Sequence, residues 1–237
     1  MCVLFIAYHS HPRYPLIVLA NRDEYYDRPT APLGRWSDHP HVRAGRDLVG
    51  GGTWLGATDA GKFAAVTNFR DPSRRPGSIS RGRLVADFLI GDASAEDHLK
   101  DVSEAAARYS GFNLIVMDES GLYYFSNVSG GIRKLTPGVY GLSNHLLNTP
   151  WPKVSSGTAA FRQLIAADDI SRQSAFALLA DETLAAEEAL PDTGIERERE
   201  RLLSPIFVRS NNYGTRSSTL MLLDDQGAIV IDERTFV

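Results

Sequence analysis

The chain has 237 residues with a net charge of −4, 43% of them hydrophobic and 23% charged, which is enough for a substantial core in one large domain or two small ones. The mild acidity and the lack of basic blocks give no sign of a nucleic-acid or anionic-membrane partner. A single cysteine excludes a disulfide framework and a cysteine metal cluster, and no apolar stretch approaches the roughly 20 residues that span a bilayer.

The only cysteine is the second residue, and it opens an apolar run over 2–8 that is typical of a strand buried on both faces. Removal of the initiator Met before this small residue would leave Cys2 with a free α-amine. An α-amine has a pKa of about 8, so the thiol and the amine would suit the nucleophile and base of an N-terminal nucleophile (Ntn) hydrolase. A small buried cysteine that begins a strand is the alternative. The N-terminus lacks the features of a signal peptide, so we expect a cytoplasmic protein without stable membrane insertion.

The first half of the chain predicts strands followed by helices. Apolar runs bounded by Gly, Pro and Asp turns predict four strands, over 2–8, 16–20, 53–58 and 63–68. The polar stretch between the second and third strands contains three prolines, shows little periodicity and predicts a loop. Two helices follow, over 81–90 and from 95 to about 109. Ser80 is positioned to cap the first, and Ser94 with Asp97 forms a capping box for the second.

The second half predicts further strands around a helical region. The predicted elements are strands at 112–117, 122–126 and 139–142, helices at 158–166 and 173–186, and strands at 206–208, 218–223 and 228–231. No repeat or linker interrupts the chain, so residues 1–237 are predicted to form a single domain. Strands first, helices in the middle and strands last indicate an α+β layered fold. Two stacked antiparallel sheets covered by helices (αββα), with the first strand central, would suit the buried first two strands; a one-sheet fold is the alternative.

Polar side chains follow buried strands at four places in the chain. The run Asn-Arg-Asp-Glu at 21–24 comes directly after the second strand, where strands commonly deliver side chains to a site. Asn68, Asn144 and Arg216 lie at comparable strand ends. Asn is disfavoured in strands and costly to bury without partners, so these positions indicate a functional site. A solvated loop, a turn or a cap is the alternative explanation for each of them.

Six ordered segments resemble the NRDE-motif family. They are MCVLF at 1–5, NRDE at 21–24, GGTWLG at 51–56, TNFR at 67–70, GLSNH at 141–145 and YGTRSST at 213–219. The resemblance covers essentially the whole chain. It implies an Ntn-hydrolase-like fold, and roles in intracellular haem trafficking and in lipid or acyl-CoA homeostasis.

The chain is also distantly similar to choloylglycine hydrolases and penicillin V acylases, which use an N-terminal Cys, an Arg-Asn-x-Asp motif, two later Asn residues and a late Arg. The resemblance implies Cys2 as nucleophile, Asp23 as the partner of its α-amine, Asn68 and Asn144 as oxyanion donors or amine ligands, and Arg216 as the electrostatic stabiliser. Ala20 stands where those enzymes carry the motif's Arg. Arg22, two residues later with the same strand parity, is the candidate substitute.

Two hypotheses of function follow. The first is a carrier of an amphipathic anion, with haem as the first candidate and an acyl-CoA-like molecule as the second. The candidate ligand-binding residues are Asn21, Arg22, Glu24, Arg70 and His145. A cleft lined by Arg22, Arg70 and Arg216 would receive a propionate, a phosphate or a carboxylate equally well. Haem would be held non-covalently, because no Cys-x-x-Cys-His motif is present.

The second hypothesis is a Cys2-dependent Ntn amidohydrolase or thioesterase acting on an acyl substrate, which requires no cofactor. Adjacent strand residues point to opposite faces, so Asp23 is expected to face Cys2. Arg22 would then either anchor an anionic ligand or brace Glu24 and Asp27. Removal of Met1 is the condition on which the enzymatic hypothesis depends.

Overall fold

The computed structural model describes residues 2–74 and 76–236, which form two antiparallel sheets. A five-stranded sheet has the order β10-β1-β2-β11-β12, and a seven-stranded sheet has the order β3-β4-β5-β6-β7-β8-β9. The strands are β1 (Cys2–Tyr8), β2 (Leu16–Tyr25), β3 (Thr30–Arg35), β4 (Val42–Asp47), β5 (Leu55–Thr58), β6 (Phe63–Asn68), β7 (Phe112–Asp118), β8 (Gly121–Ser126), β9 (Arg133–Lys134), β10 (Gly138–Leu142), β11 (Tyr213–Leu223) and β12 (Ile229–Thr235).

The helices cover the outer faces of the two sheets. They are α1 (Gly82–Ile90), α2 (Ala95–Glu104), α3 (Pro152–Ala166), α4 (Arg172–Leu179) and α5 (Arg197–Leu202), with short 3₁₀ turns at Ala106–Arg108 and Glu187–Ala189. Helices α1 and α2 pack on the seven-stranded sheet, and α3 and α4 pack on the five-stranded sheet. The predicted α+β class and the αββα layering are confirmed.

Strand β1 lies inside the five-stranded sheet, as its continuous apolar run predicts. All seven of its residues are buried. Leu4 and Ile6 face the seven-stranded sheet, whereas Phe5 and Ala7 face α3 and α4. Because successive strand residues alternate between faces, only an apolar run without alternation can bury both faces of one strand.

The proline-containing stretch between the second and third predicted strands is not a loop, because it contains β3 and β4. Strand β3 lies at the edge of its sheet, and most of its side chains are partly or fully exposed. Pro32 is tolerated there because an edge strand leaves one row of N–H groups without ladder partners. An exposed edge strand carries neither the apolar run nor the clean alternation that identified the other strands, which explains the wrong prediction.

The segment 206–208 was predicted as a strand, but it lies outside the named strands. Its residues are buried, yet its N–H groups bond outside a ladder: Phe207 donates to the carbonyl of Asp181 at 2.8 Å, and Val208 donates to the hydroxyl of Thr215 at 2.9 Å.

The boundaries of two helices also differ from the prediction. Helix α3 begins at Pro152, earlier than predicted, and α4 ends at Leu179, earlier than predicted.

The two predicted helix caps have different outcomes. Ser94 caps α2 as predicted, since its side chain accepts a hydrogen bond from the N–H of Asp97. Arg81 is the N-cap of α1 and makes no capping bond, whereas the Ser80 side chain lies beside a cavity between the sheets. No helix in the described ranges is long and apolar enough to cross a bilayer.

Gly157 provides a test of the contact between α3 and β1. A Cβ added there would lie 2.1 Å from the ring of Phe5, whereas one added at Gly34 would meet no atom within 4 Å. We expect Gly157→Ala to lower the free energy of unfolding by about 1–3 kcal/mol, because overpacking the core would force the Phe5 ring to move. The better helix propensity of alanine would offset only part of this loss. Urea titration of both variants would show Gly34→Ala near wild type. Equal stability of Gly157→Ala and wild type would contradict this packing.

Candidate active and ligand-binding site

A cavity of about 330 Å³ lies where the first two strands of the chain meet the second sheet. Its lining includes the thiol-bearing residue, the Arg-Asp-Glu part of the NRDE segment and polar residues from the start of α1. Among the lining residues are Cys2, Arg22, Asp23, Trp54, Asn68 and Arg81. Three of the predicted catalytic residues therefore share one cavity.

Strand register places Arg22 beside Cys2. In the antiparallel pairing of β1 with β2, Cys2 lies directly opposite Arg22, and Leu4 lies opposite Ala20. Side chains of directly paired residues lie on the same face of a sheet. Ala20 packs in the cluster between the sheets, so Arg22 occupies the same face two residues later. A guanidinium is thus present near Cys2 although Ala20 replaces the Arg of the hydrolase motif.

The Cys2 thiol is buried, with 9% of the residue exposed. Burial raises the pKa of this thiol, and the negative charge of Asp23 raises it further, while the charge of Arg22 opposes both. Cys2 is therefore predominantly a neutral thiol near pH 7. A nucleophilic role would need a base, and Met1, whose removal would free an α-amine on Cys2, lies outside the described residues.

Asp23 is held in place from the neighbouring strand β11. The Thr215 hydroxyl donates a 2.7 Å hydrogen bond to its carboxylate, and the Tyr213 hydroxyl donates to its backbone carbonyl at 3.1 Å. Burial raises the pKa of the Asp23 carboxyl, and the ammonium of Lys153 on α3 acts in the opposite direction. Asp23 is thus oriented by hydrogen bonds and offset by a buried cation.

Asn144 follows the end of β10, next to Cys2, and connects the two sheets. Its side-chain amide donates to the backbone carbonyl of Asn68 at 3.0 Å, and the Asn144 residue is fully buried. The hydroxyl of the preceding residue, Ser143, donates to the carbonyl of Cys2 at 3.1 Å. Asn68 itself lines the cavity. The two asparagines therefore lie together next to Cys2, with Asn144 engaged in tying β10 to the end of β6.

Among the described residues, Arg22 and Arg81 are the two cationic side chains of the cavity without a carboxylate partner. The guanidinium carbon of Arg22 lies over the Trp54 ring, 3.9 Å from its centroid, and Arg22 donates to the Thr30 hydroxyl at 3.1 Å. Arg81 donates to the carbonyl of Gly111 at 3.1 Å. Neither is within ion-pair distance of a carboxylate in the described part of the chain. Burial lowers the pKa of both guanidinium groups, which nevertheless remain charged at neutral pH.

The cavity's other arginine is already neutralised. Arg28 donates to the carboxylate of Asp47 at 2.8 Å and lies 3.9 Å from the carboxylate of Glu24. Glu24 is thereby placed at the cavity, but as a partner of Arg28. Arg22 forms no ion pair with Glu24 or Asp27, so the bracing role considered for it is not observed.

Besides Asn144, four predicted site residues do not line this cavity: Asn21, Arg216, Arg70 and His145. Asn21 is fully buried on the helix side of β2, where its amide donates to the carbonyls of Leu179 and Ile206. The Arg216 guanidinium donates to backbone carbonyls and lines a second cavity beyond Arg22.

Arg70 and His145 line a separate surface groove of about 300 Å³. Arg70 forms a buried ion pair with Glu200 and lies over the ring of Trp151. His145 bonds the Thr149 hydroxyl at 2.8 Å, and its pKa is lowered by burial. The structure therefore brings Cys2, Arg22, Asp23, Glu24 and Asn68 to one cavity, with Asn144 behind it.

Sequence reasoning missed Arg81 and Lys153. Arg81 stands at the start of α1, far from the motif segments, and only the packing of α1 against the second sheet brings it to the cavity. Lys153 precedes the helix predicted over 158–166, and the residue types around it in the sequence give no sign that its side chain is buried. It is 4% exposed and donates to the carbonyl of Leu203 at 2.8 Å.

Comparison with known proteins shows a full-length family match. The family model described as Transport and Golgi organisation 2 matches residues 1–237. The bovine Transport and Golgi organization protein 2 homolog is 37% identical over 260 residues, which cover 100% of this chain and 94% of that protein. The mouse homolog is 35% identical over 258 residues, with the same coverage. NRDE is another name for this family, so the resemblance noted in the sequence is confirmed.

Solved structures share the fold at low sequence identity. An N-acylethanolamine-hydrolyzing acid amidase ortholog from Caenorhabditis elegans aligns with a TM-score of 0.52 and 13% identity, over 93% of this chain and 92% of that one. The C2A mutant of conjugated bile acid hydrolase from Clostridium perfringens aligns with a TM-score of 0.51 and 9% identity, over 100% and 97%. At these identities the likeness shows the Ntn-hydrolase-like fold alone.

Lys153 generates a pH-dependent prediction. Burial lowers its pKa from 10.5 to about 8, so between these values the unfolded chain binds a proton that the folded chain does not. The stability contributed by this group therefore rises with pH across that window and is absent below about pH 8. We expect the unfolding free energy of wild type minus that of Lys153→Met to increase by on the order of 3 kcal/mol from neutral to strongly alkaline pH.

Urea unfolding across that pH range would measure this difference. Lys134→Met on the exposed strand β9 is the matched control, because it removes an ammonium that the fold does not bury. A pH-independent difference for Lys153→Met would show that the Lys153 ammonium is not buried as described.

Proposed function

The chain belongs to the Transport and Golgi organisation 2 family, and we propose that it is a cytoplasmic carrier that binds and hands on an amphipathic anion, with haem as the first candidate. The observation that carries this proposal is the pair Arg22 and Arg81. Both line the Cys2 cavity, and neither has a carboxylate partner in the described residues. Burying an uncompensated charge is costly, and an anionic group held between the two guanidiniums would offset that cost.

The cavity also suits the apolar part of such a ligand. Trp54, Val66 and Ile79 contribute apolar surface beside the two arginines. Its volume of about 330 Å³ is near the lower end of the roughly 300–1,000 Å³ that is usual for ligand pockets. A molecule the size of haem or an acyl-CoA would therefore place its acidic group inside and leave part of its body at the mouth. Partial enclosure favours release, which a carrier requires.

The residues present fit haem through its propionates more than through its iron. Arg22 and Arg81 would hold carboxylates by charge-assisted hydrogen bonds. Cys2 is the lining residue able to ligate iron, and its raised thiol pKa makes it a weak donor near neutral pH. The six histidines all belong to the described residues, and none of them lines this cavity. Weak axial ligation is compatible with transfer of haem to another protein.

A second candidate function is Cys2-dependent hydrolysis of an acyl amide or thioester. The observation that favours it is the grouping of Cys2, Asp23 and Asn68 on one cavity, with Asn144 hydrogen-bonded to the backbone of Asn68. In this reaction the α-amine freed by loss of Met1 takes the thiol proton, and the thiolate attacks the acyl carbonyl. The leaving group departs with that proton, and water then hydrolyses the thioester intermediate. The motif's Arg is absent at Ala20, and Arg22 would supply the positive charge.

The carrier proposal predicts that the cavity arginines control ligand affinity. Arg22→Ala and Arg81→Gln should each weaken binding of haem or an acyl-CoA by roughly 1–3 kcal/mol, the range for a hydrogen bond to a charged group. Arg83→Gln is the matched control, because Arg83 lies two residues away on α1 and pairs with Asp87 at the surface. Absorbance and calorimetric titrations at fixed ionic strength would measure the affinities. Failure of both ligands to bind wild type at micromolar concentrations would refute the carrier proposal.

The hydrolase proposal makes a separate prediction. Intact mass should show a chain without Met1, and acyl substrates should then be turned over slowly. Cys2→Ala should abolish turnover, and Cys2→Ser should retain only a trace, because an unactivated hydroxyl is the poorer nucleophile. Arg83→Gln should keep wild-type turnover. Unchanged turnover in Cys2→Ala would remove the enzymatic proposal.

A further inference from the structure

A second cavity, of about 210 Å³, lies on the other side of Arg22 from Cys2. Strands β2, β3, β11 and β12 contribute to it, together with Trp54 and Phe236. Arg22 and Trp54 line both cavities, and the Arg22 guanidinium lies over the Trp54 ring, so this pair of side chains stands between the two spaces.

Strand register aligns the two cavities along one line. Cys2 pairs with Arg22, Arg22 pairs with Ser217, and Ser217 pairs with Thr235. Directly paired residues share a face, so this cross-strand row crosses β1, β2, β11 and β12 on the side that faces the seven-stranded sheet. The row begins in the first cavity and ends in the second. Three strand spacings of about 4.8 Å make it roughly 14 Å long.

The walls of the second cavity are suited to an apolar arm that carries few polar groups. Pro32, Trp54 and Phe236 supply apolar surface, with Phe236 37% exposed. Arg216 and Glu233 bond to backbone atoms, while the Nε of Arg216 and the hydroxyl of Ser217 have no hydrogen-bond partner among the described residues and could meet a polar group of the ligand. Arg216 donates to the carbonyls of Tyr25 and Arg28, and Glu233 accepts from the N–H of Leu33 at 2.8 Å.

The side chain that divides the cavities is held by weak contacts. The Arg22 guanidinium rests on Trp54 and donates to the Thr30 hydroxyl, and no carboxylate of the described residues fixes it. Its flexible aliphatic stem has several rotatable bonds. A ligand that runs along the row can therefore contact the Arg22 guanidinium without breaking a salt bridge of the described residues.

We propose that the two cavities form one trough, in which an elongated amphipathic molecule has its reactive or acidic end beside Cys2 and an apolar arm in the second cavity. This deepens the proposed function and rests on it for the acidic end. The apolar arm would lie along the cross-strand row, between Ser217 and Thr235 on one side and Trp54 and Pro32 on the other. The ligand class is therefore longer than the first cavity alone would accept.

The lone thiol allows a test that does not require the natural ligand. N-alkyl iodoacetamides of increasing chain length would alkylate Cys2 at one alkaline pH: the thiolate sulfur bonds to the methylene carbon, iodide leaves, and the thiol proton goes to the buffer. Intact mass would follow the rate. In wild type the second-order rate should rise by roughly fourfold for each methylene that becomes buried, until the second cavity is full.

Thr235→Phe fills the far end of the trough, and its exposed position makes a folding defect unexpected. It should cut the rate for the octyl reagent to near that for the methyl reagent while leaving the methyl rate unchanged. Val230→Phe adds similar bulk to an exposed position on the same strand, outside the cavity, and should keep the full chain-length dependence. Thermal melting would establish that both variants are folded.

The trough is refuted if the wild-type rate is independent of chain length, if Thr235→Phe keeps the wild-type dependence, or if Cys2 reacts with none of the reagents. These outcomes are distinguishable from failure of the carrier proposal, which is tested by the Arg81→Gln titration. A protein that binds haem through Arg81 but shows no effect of Thr235→Phe has the proposed function without the trough.

Discussion

The antiparallel pairing of β1 with β2 is the constraint on which the rest of the structure depends. These two strands are buried on both faces, so their register can change only by moving apolar side chains out of two cores at once. That register sets Cys2 opposite Arg22 and continues across β11 to the second cavity. The chemistry near the N-terminus is therefore positioned by the core itself, and no flexible loop is needed to bring the thiol and the guanidinium together.

Electrostatics then divides the buried charges into two groups. Behind β2, Arg70 pairs with Glu200, and the Lys153 ammonium offsets the Asp23 carboxylate. Such paired charges stabilise little in net terms, but removing one partner would leave the other uncompensated. Arg22 and Arg81 differ because their partners are a hydroxyl, a carbonyl and an aromatic ring. This contrast within one molecule is the main reason to regard the Cys2 cavity as an anion site.

The sequence predicted the parts of the fold whose signal is local. A strand buried on both faces shows as an uninterrupted apolar run, and the Ser94 cap shows as a spacing of three residues, so both were identified. Edge strands such as β3 carry no such signal. They pair on one side only and are largely exposed, so few of their positions require an apolar residue. The site divides in the same way. The NRDE segment was recognisable because it directly follows the apolar run at 16–20, and the structure shows that β2 continues through it to Tyr25. Arg81, by contrast, reaches the cavity only through packing between segments distant in sequence.

The most direct measurement of the central claim is a crystal structure of the chain soaked with para-bromobenzoate, an amphipathic carboxylate that does not react with the thiol. Anomalous scattering would locate its bromine without ambiguity. We expect the carboxylate to accept hydrogen bonds from both Arg22 and Arg81, with the ring against Trp54. Binding only at exposed arginines such as Arg35, with the guanidiniums of Arg22 and Arg81 contacting no ligand, would contradict an anion site in the Cys2 cavity.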